Sequence, residues 1–276
     1  MRIDAHQHFW KYDPVKDSWI TDEMNVLQND FLPNQLETLL GESKIDGSVL
    51  IQSDQTIEGN NFLINLGRES PFIKGVVGWV DLCSETAEDE ISKYLETPVV
   101  KGFRHILQSE ANRSFMLEPA FLRGVKLLGK YDFTYDILIF KDQLKYVPEF
   151  LKHFPNQKFV LDHLAKPDIK NHLIGEWEKG LRKLAAFDNL YCKVSGMFAE
   201  ADWHHWEPAN FTPYLDIAME VFGVDRLMYG SDWPVCLVAT SYKEQFEVVK
   251  RYFSSLTPNE QNGVLGENAI RFYRLQ

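Results

Sequence analysis

The sequence predicts an α/β chain closed into a distorted (β/α)8 barrel, a single domain over residues 1–276. Three observations carry the prediction. Eight short runs rich in β-branched and aromatic residues alternate with eight longer amphipathic runs, as strand–helix units around a parallel sheet do. The first turn holds His6-Gln7-His8-Phe9-Trp10, where a doubly wound open sheet would carry glycines. Reactive polar residues recur at the carboxyl ends of the short runs, the rim where barrel enzymes keep their chemistry.

The first strand is expected at residues 2–6 and runs into His6 and His8. Their i, i+2 spacing aims both imidazoles to one side of a strand. Such a pair can grip a divalent cation or polarise an oxygenated ligand. Residues 10–31 show no clear period and read as a long loop over the barrel mouth, tethered by Trp10, Trp19 and Ile20. A helix at 34–40 leads to a strand at 47–52 that ends in Gln52, and a helix at 59–70 leads to a strand at 75–81. After a helix at 85–95, the strand at 99–105 ends in Arg104 and His105. A helix at 119–131 precedes the strand at 133–139, which carries Asp136; a helix at 141–154 precedes the strand at 158–162, followed by His163. A helix at 174–187 precedes the strand at 190–195, with Lys193 and Ser195. Residues 197–210 read as a second mouth loop, containing Trp203. A helix at 213–222 precedes the strand at 226–229 and then Gly230-Ser231-Asp232-Trp233-Pro234. Helices at 241–252 and 258–273 complete the chain, the last expected on the outside of the barrel.

Alternation along the strands sorts the candidates. Cys192 and Val194 suit the helix-facing side of their strand, which points Lys193 and Ser195 inward. Tyr135, Ile137 and Ile139 suit the outer side of theirs, which points Asp136 inward. A buried lysine needs a partner, and Asp136 is the natural one, so these two could equally form a structural ion pair. Arg104 and His105 are adjacent, and both reach the interior only if the strand bends at its end. His6, His8 and His163 could be hydrogen-bonded core histidines, and Asp232 could cap the following helix. Gln52 fits either a site or a core. Trp10, Trp79, Trp203 and Trp233 lie near strand ends and suit packing or a wall for a polar ring. His153, His172, His204 and His205 read as surface residues.

Composition excludes several classes. The formal net charge is −11 at pH 7, which opposes nucleic acid and anionic membrane surfaces as partners. The 3 cysteines are far apart and give no disulfide framework or metal knuckle, so a cytoplasmic home is expected. No charged-then-apolar leader and no membrane-length apolar run is found, so the mature protein is expected to start near Met1. The oligomeric state is not legible.

Six segments occur in order: Asp4-Ala5-His6-Gln7-His8-Phe9-Trp10, Gly102-Phe103-Arg104-His105, Asp162-His163-Leu164-Ala165-Lys166-Pro167, Lys193-Val194-Ser195-Gly196, Gly230-Ser231-Asp232-Trp233-Pro234 and Gly266-Glu267-Asn268-Ala269-Ile270-Arg271-Phe272-Tyr273. Together they resemble the amidohydrolase superfamily, and within it the sugar-acid lactonase branch (L-fuconolactonase and L-rhamnonolactonase-like). The resemblance spans essentially the whole chain. It implies hydrolysis at a carbonyl centre and a small-molecule sugar lactone as substrate. It also implies a set of His6, His8, His163 and Asp232 for one Zn2+ or other divalent cation. Many binuclear relatives carry a lysine or glutamate after strand four and a histidine after strand five. Arg104-His105 and Asp136 stand there instead, so two metals are not expected. The branch is also similar to enzymes whose hydrolysis does not depend on a metal. On this resemblance, Asp232 activates the water, while His163, His105 and Arg104 polarise the lactone carbonyl. Gln52, Asp136, Lys193 and Ser195, with Trp10 and Trp203, would bind the sugar. A zinc-dependent decarboxylase of an aromatic carboxylic acid on the same barrel is the nearest rival, and a catalytically silent ligand-binding barrel is a rival of another class.

Overall fold

The computed structural model describes residues 1–276. Eight parallel strands pair in sequence order: β1 (Ile3–Gln7), β2 (Gly47–Ile51), β3 (Ile73–Gly78), β4 (Val100–His105), β5 (Thr134–Ile137), β6 (Phe159–Leu161), β7 (Leu190–Val194) and β8 (Leu227–Tyr229). The ring closes at its carboxyl rim, where Asp232 N donates to His6 O (2.8 Å) and His8 N to Trp233 O (2.7 Å). The outer layer begins with α1 (Pro33–Ser43), α2 (Ile57–Glu69), α3 (Ala87–Ser92), α4 (Pro119–Lys130) and α5 (Val147–Lys152). It continues with α6 (Gly175–Arg182), α7 (Pro208–Phe222) and α8 (Tyr242–Tyr252). Side chains at strand positions such as Tyr135, Ile137, Leu161, Cys192 and Val194 pack into the sheet–helix core with Phe121, Phe150 and Leu181 from the helices. No helix is long and apolar enough to cross a membrane. The three cysteines are free.

The strands lie where alternation of the runs places them, with no end shifted by more than three residues. Helices differ where local chemistry intervenes. The expected helix at 141–154 is a 3-10 turn (Lys141–Tyr146) followed by α5, with Pro148 in its first turn. The helix expected at 213–222 starts one turn earlier, at Pro208, and carries Pro213 inside it. The expected loop at 197–210 therefore ends where α7 begins.

The last segment departs most. It does not lie on the outside as one helix. It breaks into α9 (Pro258–Asn262), a π-turn (Gly263–Glu267) and α10 (Asn268–Tyr273). Ala269, Phe272, Tyr273 and Leu275 fill the amino end of the barrel with Ile3, Ala5, Val49, Ile51, Val77, Val160 and Met228. Gly266 allows the crossing beneath β1, because a Cβ there would stand 2.1 Å from Met1 O. Burying each large side chain in this plug is worth about 1.5–3 kcal/mol.

The loop expected over the mouth is present. Trp10 and Phe31 exchange backbone bonds (Trp10 N to Phe31 O, 3.1 Å; Phe31 N to Trp10 O, 2.9 Å). Trp10 meets Trp19 and Phe31 edge-on at 5.9 and 5.4 Å, and Phe31 meets Trp233 at 5.2 Å.

Candidate active site

The histidine pair is aimed by a bulge. Along β1 the pairing steps from Asp4↔Ser48 to Gln7↔Leu50, so β1 spends one residue more than β2. Below the bulge, Ile3 and Ala5 face the barrel plug, and Asp4 turns outward to accept from Tyr242 Oη (3.0 Å) on α8. Above it, His6 and His8 face inward. Asp4 Oδ1 also accepts from His6 N (3.1 Å) and Ser231 N (2.8 Å), so one buried carboxyl ties the histidine strand to the turn that carries Asp232. Burial pushes that carboxyl up to about 6, against the opposing pull of its bonds to Ser231, His6 and Tyr242.

The other two elements adopt left-handed backbone. After β6, His163, Leu164, Ala165 and Lys166 have φ of 54, 53, 56 and 51°, and Asp232 has φ of 56°. Each such residue costs about 1–2 kcal/mol, and the surroundings hold it there. Trp177 Nε1 donates to Leu164 O (2.6 Å), and Lys166 N donates to His163 O (2.8 Å). Gly196, at φ +67°, makes room for the imidazole: a Cβ there would lie 2.6 Å from His163 Nδ1.

Four donor atoms converge as a result. His6 Nε2 lies 3.1 Å from His8 Nε2 and 3.7 Å from Asp232 Oδ1. Asp232 Oδ1 is 3.4 Å from His8 Nε2 and 3.9 Å from His163 Nε2. Burial alone would raise the Asp232 carboxyl, but His163, the bond to His8, and His6 together hold it well below the usual carboxylate range. Burial lowers His163 to about 4 despite the facing Asp232 and Asp162, so its imidazole is neutral at pH 7. Burial and then the Lys193 ammonium push His6 well below its ordinary value.

Beneath this cluster lies a deeply buried ionic floor, of which only Arg104 reaches the cavity. Lys193 Nζ donates to Asp136 Oδ2 (2.5 Å), pairs by charge with Asp162 Oδ1 (3.0 Å) and stands 3.2 Å from His6 Nδ1. Arg104 Nη1 donates to Asp162 Oδ2 (3.0 Å) and lies 3.4 Å from His6 Nε2, and Arg104 Nη2 donates to Gln52 O (2.5 Å). Tyr273 Oη, from the plug below, donates to Asp136 Oδ2 (2.7 Å). Of the two carboxyls sharing Lys193, burial lifts Asp136 to about 6. Burial acts on Asp162 in the same sense, but Lys193, His6 and Arg104 overcome it and hold Asp162 well below the ordinary range.

Above the cluster opens a cavity of about 550 Å3 including its mouth, a small-molecule size. His8, Arg104, His163 and Asp232 form its base, Trp10, Trp19, Ile106, Leu138 and Val235 its walls, and Ser53, Gln108 and Lys166 its polar rim.

Several candidates stand elsewhere than expected. β4 stays regular to its end, so Arg104 points in and His105 points out. His105 stacks on Phe115 (5.3 Å), accepts from Trp79 Nε1 at Nδ1 (3.4 Å) and donates from Nε2 to Glu110 Oε1 (2.7 Å). Asp136 and Lys193 are an ion pair in the floor and do not line the cavity. Gln52 is buried there too, donating to Arg104 O (3.1 Å). Ser195 Oγ lies 2.9 Å from His163 Nδ1 and supports that ring from behind. Trp10 walls the cavity, whereas Trp203 donates to Ala199 O (2.9 Å) in its own loop and is not among the cavity-lining residues. Asp162, Gln108 and Trp19 are not singled out from sequence as site residues, and Lys166 is placed after strand six without a role. Asp162 was reachable, since Val160 faces inward and Asp162 follows it by two. Nothing in the sequence signals the left-handed turn that turns Lys166 to the rim.

His6, His8 and Asp232 each place a ligand atom within 4.8 Å of the others, a set that fits a single divalent cation, with His163 Nε2 at its edge 3.9 Å from Asp232 Oδ1. Tetrahedral ligands about 2.0–2.1 Å from zinc lie roughly 3.3 Å apart, and the separations of 3.1, 3.4, 3.7 and 3.9 Å bracket that. His8 Nδ1 bonds Ile51 O (2.9 Å), which fixes the ring with Nε2 toward the cluster, the orientation a ligating histidine needs.

A profile of the amidohydrolase family matches residues 3–275. The L-fucono-1,5-lactonase of Burkholderia multivorans (strain ATCC 17616 / 249) is 38% identical over 286 residues, covering 100% of this chain and 96% of that enzyme. The L-fucono-1,5-lactonase of Burkholderia ambifaria is 32% identical, covering 99% and 96%. Two crystal structures of a Burkholderia multivorans amidohydrolase, one with bound HEPES and one with bound zinc, are 37% identical, with TM-score 0.97 and 100% of both chains covered. A dihydroxybenzoic acid decarboxylase from Polaromonas sp. JS666, 14% identical with TM-score 0.67, shares the fold alone.

Proposed function

The chain belongs to the amidohydrolase family, and on that footing we propose that it hydrolyses the ring of a sugar-acid lactone, of L-fucono-1,5-lactone or L-rhamnonolactone type, to the aldonate. One observation carries the reading: a carboxylate kept ionised by three imidazoles at the base of a small cavity with aromatic walls and a polar rim. Full-length identity of 38% to a lactonase supports the substrate class.

Lactone opening needs a deprotonated water, positive character near the developing oxyanion, and a proton for the departing ring oxygen. Asp232, ionised at pH 7, takes the proton from the water. His163 is neutral; with Ser195 donating to its Nδ1, it presents Nε2–H to the carbonyl oxygen. The Arg104 guanidinium, fixed in the floor by Asp162 and Gln52, supplies a permanent positive charge beneath that oxygen. Asp232, now protonated, returns its proton to the ring oxygen as the C–O bond breaks. Lys166, Gln108 and Ser53 bind hydroxyls of the sugar, and Trp10 and Trp19 cover its apolar face. Where a cation, zinc by its nitrogen and oxygen donors, is held by His6, His8 and Asp232 with His163, the His163 Nε2 would carry no proton, and Lewis-acid polarisation of the carbonyl would take the place of its N–H.

The test is a panel of five- and six-membered aldonolactones and one carboxylated aromatic acid, assayed with and without a chelator. Acid release from aldonolactones is expected. Carbon dioxide from the aromatic acid, with no lactone opened, would reassign the site to decarboxylation.

A further inference from the structure

Two cationic side chains line the cavity, Arg104 at its base and Lys166 at its rim, and neither charge is free. Arg104 is paired with Asp162 (3.0 Å) in the floor. Lys166 Nζ is paired by charge with Glu200 Oε1 (3.5 Å) and lies over the Phe140 ring, 5.3 Å from its centroid. Glu200 is not itself a lining residue of the cavity. It meets Lys166 in an adjoining groove shared with Phe140, Lys141 and Asp168. Lys141 is taken as well, its Nζ donating to Asp168 Oδ2 (2.8 Å). The side chains of the lining therefore offer an entering ligand no uncompensated cation, while Asp232 stands ionised at the base.

Backbone bonds hold Glu200 in this position. Its N donates to Gly196 O (3.3 Å), from the residue that makes room for His163, and its O accepts from Lys170 N (2.9 Å), a little beyond Lys166. Lys166 is fixed in turn by the left-handed turn after β6. The Lys166 and Glu200 side chains are 19% and 24% exposed, so the pair is partly shielded and its charges act more strongly than in bulk water. Burial pushes the Glu200 carboxyl up, Lys166 pulls it back, and Asp232 pushes in the same sense as burial, so Glu200 and the base of the cavity feel one another's charge. An ammonium has three N–H donors, and those not aimed at Glu200 remain for a ligand. Lys166 can therefore serve a hydroxyl, yet its charge is already spent on Glu200 and has little left for a second anion.

We propose that Glu200 is a specificity-determining residue: by neutralising the Lys166 ammonium it makes the cavity accept uncharged polyhydroxy lactones and refuse lactones that carry a carboxylate away from the reacting carbonyl. Glu200 touches no substrate and acts only through Lys166. The inference rests on the lactonase reading above and deepens it, from the lactone of a sugar acid to a lactone with no further acid group. An aldarolactone and the aldonolactone of the same configuration differ by one carboxylate in place of a terminal hydroxymethyl group. That carboxylate enters a site whose cations are paired and whose Asp232 repels it, which is discrimination by an unfavourable contact with the wrong ligand.

The experiment measures kcat/KM for such a matched aldarolactone and aldonolactone in one buffer, with the wild-type protein and with Glu200→Gln. The bared ammonium is expected to raise the aldarolactone-to-aldonolactone ratio by at least about tenfold, the scale on which one uncompensated charge sorts partners. In a Lys166→Met background the same Glu200→Gln change is expected to leave the ratio close to where it was. A partly exposed ion pair adds little to folding, so Glu200→Gln is expected to keep native near-ultraviolet circular dichroism, and Glu200→Ala repeats the test with a different shape. An unchanged ratio in both folded variants, or a gain that persists without Lys166, would overturn the proposal. A binding arm keeps this outcome apart from failure of the lactonase reading. Calorimetric dissociation constants of the matched aldarate and aldonate need no turnover, and Glu200→Gln is expected to favour the aldarate in the same sense. If the wild-type protein opens no aldonolactone, the lactonase reading fails, and the aldarate-to-aldonate ratio alone decides for or against Glu200.

Discussion

The two ends of this barrel are built from the same strands and do opposite things. At the amino end, Ile3, Ala5, Val49, Ile51, Val77, Val160 and Met228 close on α10 in an apolar plug. At the carboxyl end, His6, Arg104, Asp162, Lys193 and Asp232 are all buried polar or charged groups, and two of the connecting turns are left-handed. The change takes one or two residues along a strand: Ala5 to His6, Ile51 to Gln52, Val160 to Asp162. Packing at one end holds in place the strain and the buried ion pairs at the other. Tyr273 joins them, apolar in the plug and donating to Asp136 in the floor.

The sharpest separation of the two ends comes from one change at each. Asp232→Asn is expected to cut lactone turnover by about 10²–10⁴-fold, with the thermal midpoint near wild type. Turnover at wild-type rates would remove Asp232 as the base. Phe272→Ala, in the plug, is expected to cost about 3–5 kcal/mol of stability while kcat/KM per folded molecule holds, as denaturant titration beside an activity assay will read. A selective loss of kcat with stability intact would break the division between the ends.

Gly196→Ala tests the strained rim itself. It adds a Cβ 2.6 Å from His163 Nδ1 at a φ of +67°, and an imidazole displaced by about 1 Å is expected to lose on the order of 10²-fold in kcat. The pH profile sharpens the same point. Burial lowers His163 to about 4, so its working neutral form persists as pH falls past the ordinary histidine range and is lost only below that value. In chelated protein the acid limb of kcat/KM is expected near 4; a limb near 6.5 would show His163 titrating as a solvated histidine. The smallest effect belongs outside the ring. His105→Gln is expected to cost about 1 kcal/mol through the lost bond to Glu110 and to leave kcat close to wild type.

That last contrast shows where sequence reading succeeds and fails. Runs of β-branched and aromatic residues between amphipathic stretches found all eight strands, and period-two alternation turned Lys193 and Asp136 inward correctly, because a strand's side-chain direction is fixed by its backbone. It could not separate Arg104 from His105, since nothing in the residues announces whether a strand end bends. The bulge at β1 was hidden for the same reason, and its effect, turning Asp4 out and both histidines in, needs the pairing with β2. The left-handed turn that carries His163 and Lys166 is set by Gly196 and Trp177, which are distant in sequence. The plug was misplaced because an amphipathic segment suits the outside of a barrel as well as its end, and only the crossing at Gly266 decides.

The claim that Asp232 works at the base of the cavity is tested most directly by a crystal structure with the aldonate product bound. The predicted result is a product carboxylate within hydrogen-bond distance of Asp232 and His163, with the sugar chain against Trp10 and Trp19. An aldonate lodged instead in the neighbouring groove between Lys16, Asp54 and Phe62, with none beside Asp232, would contradict it.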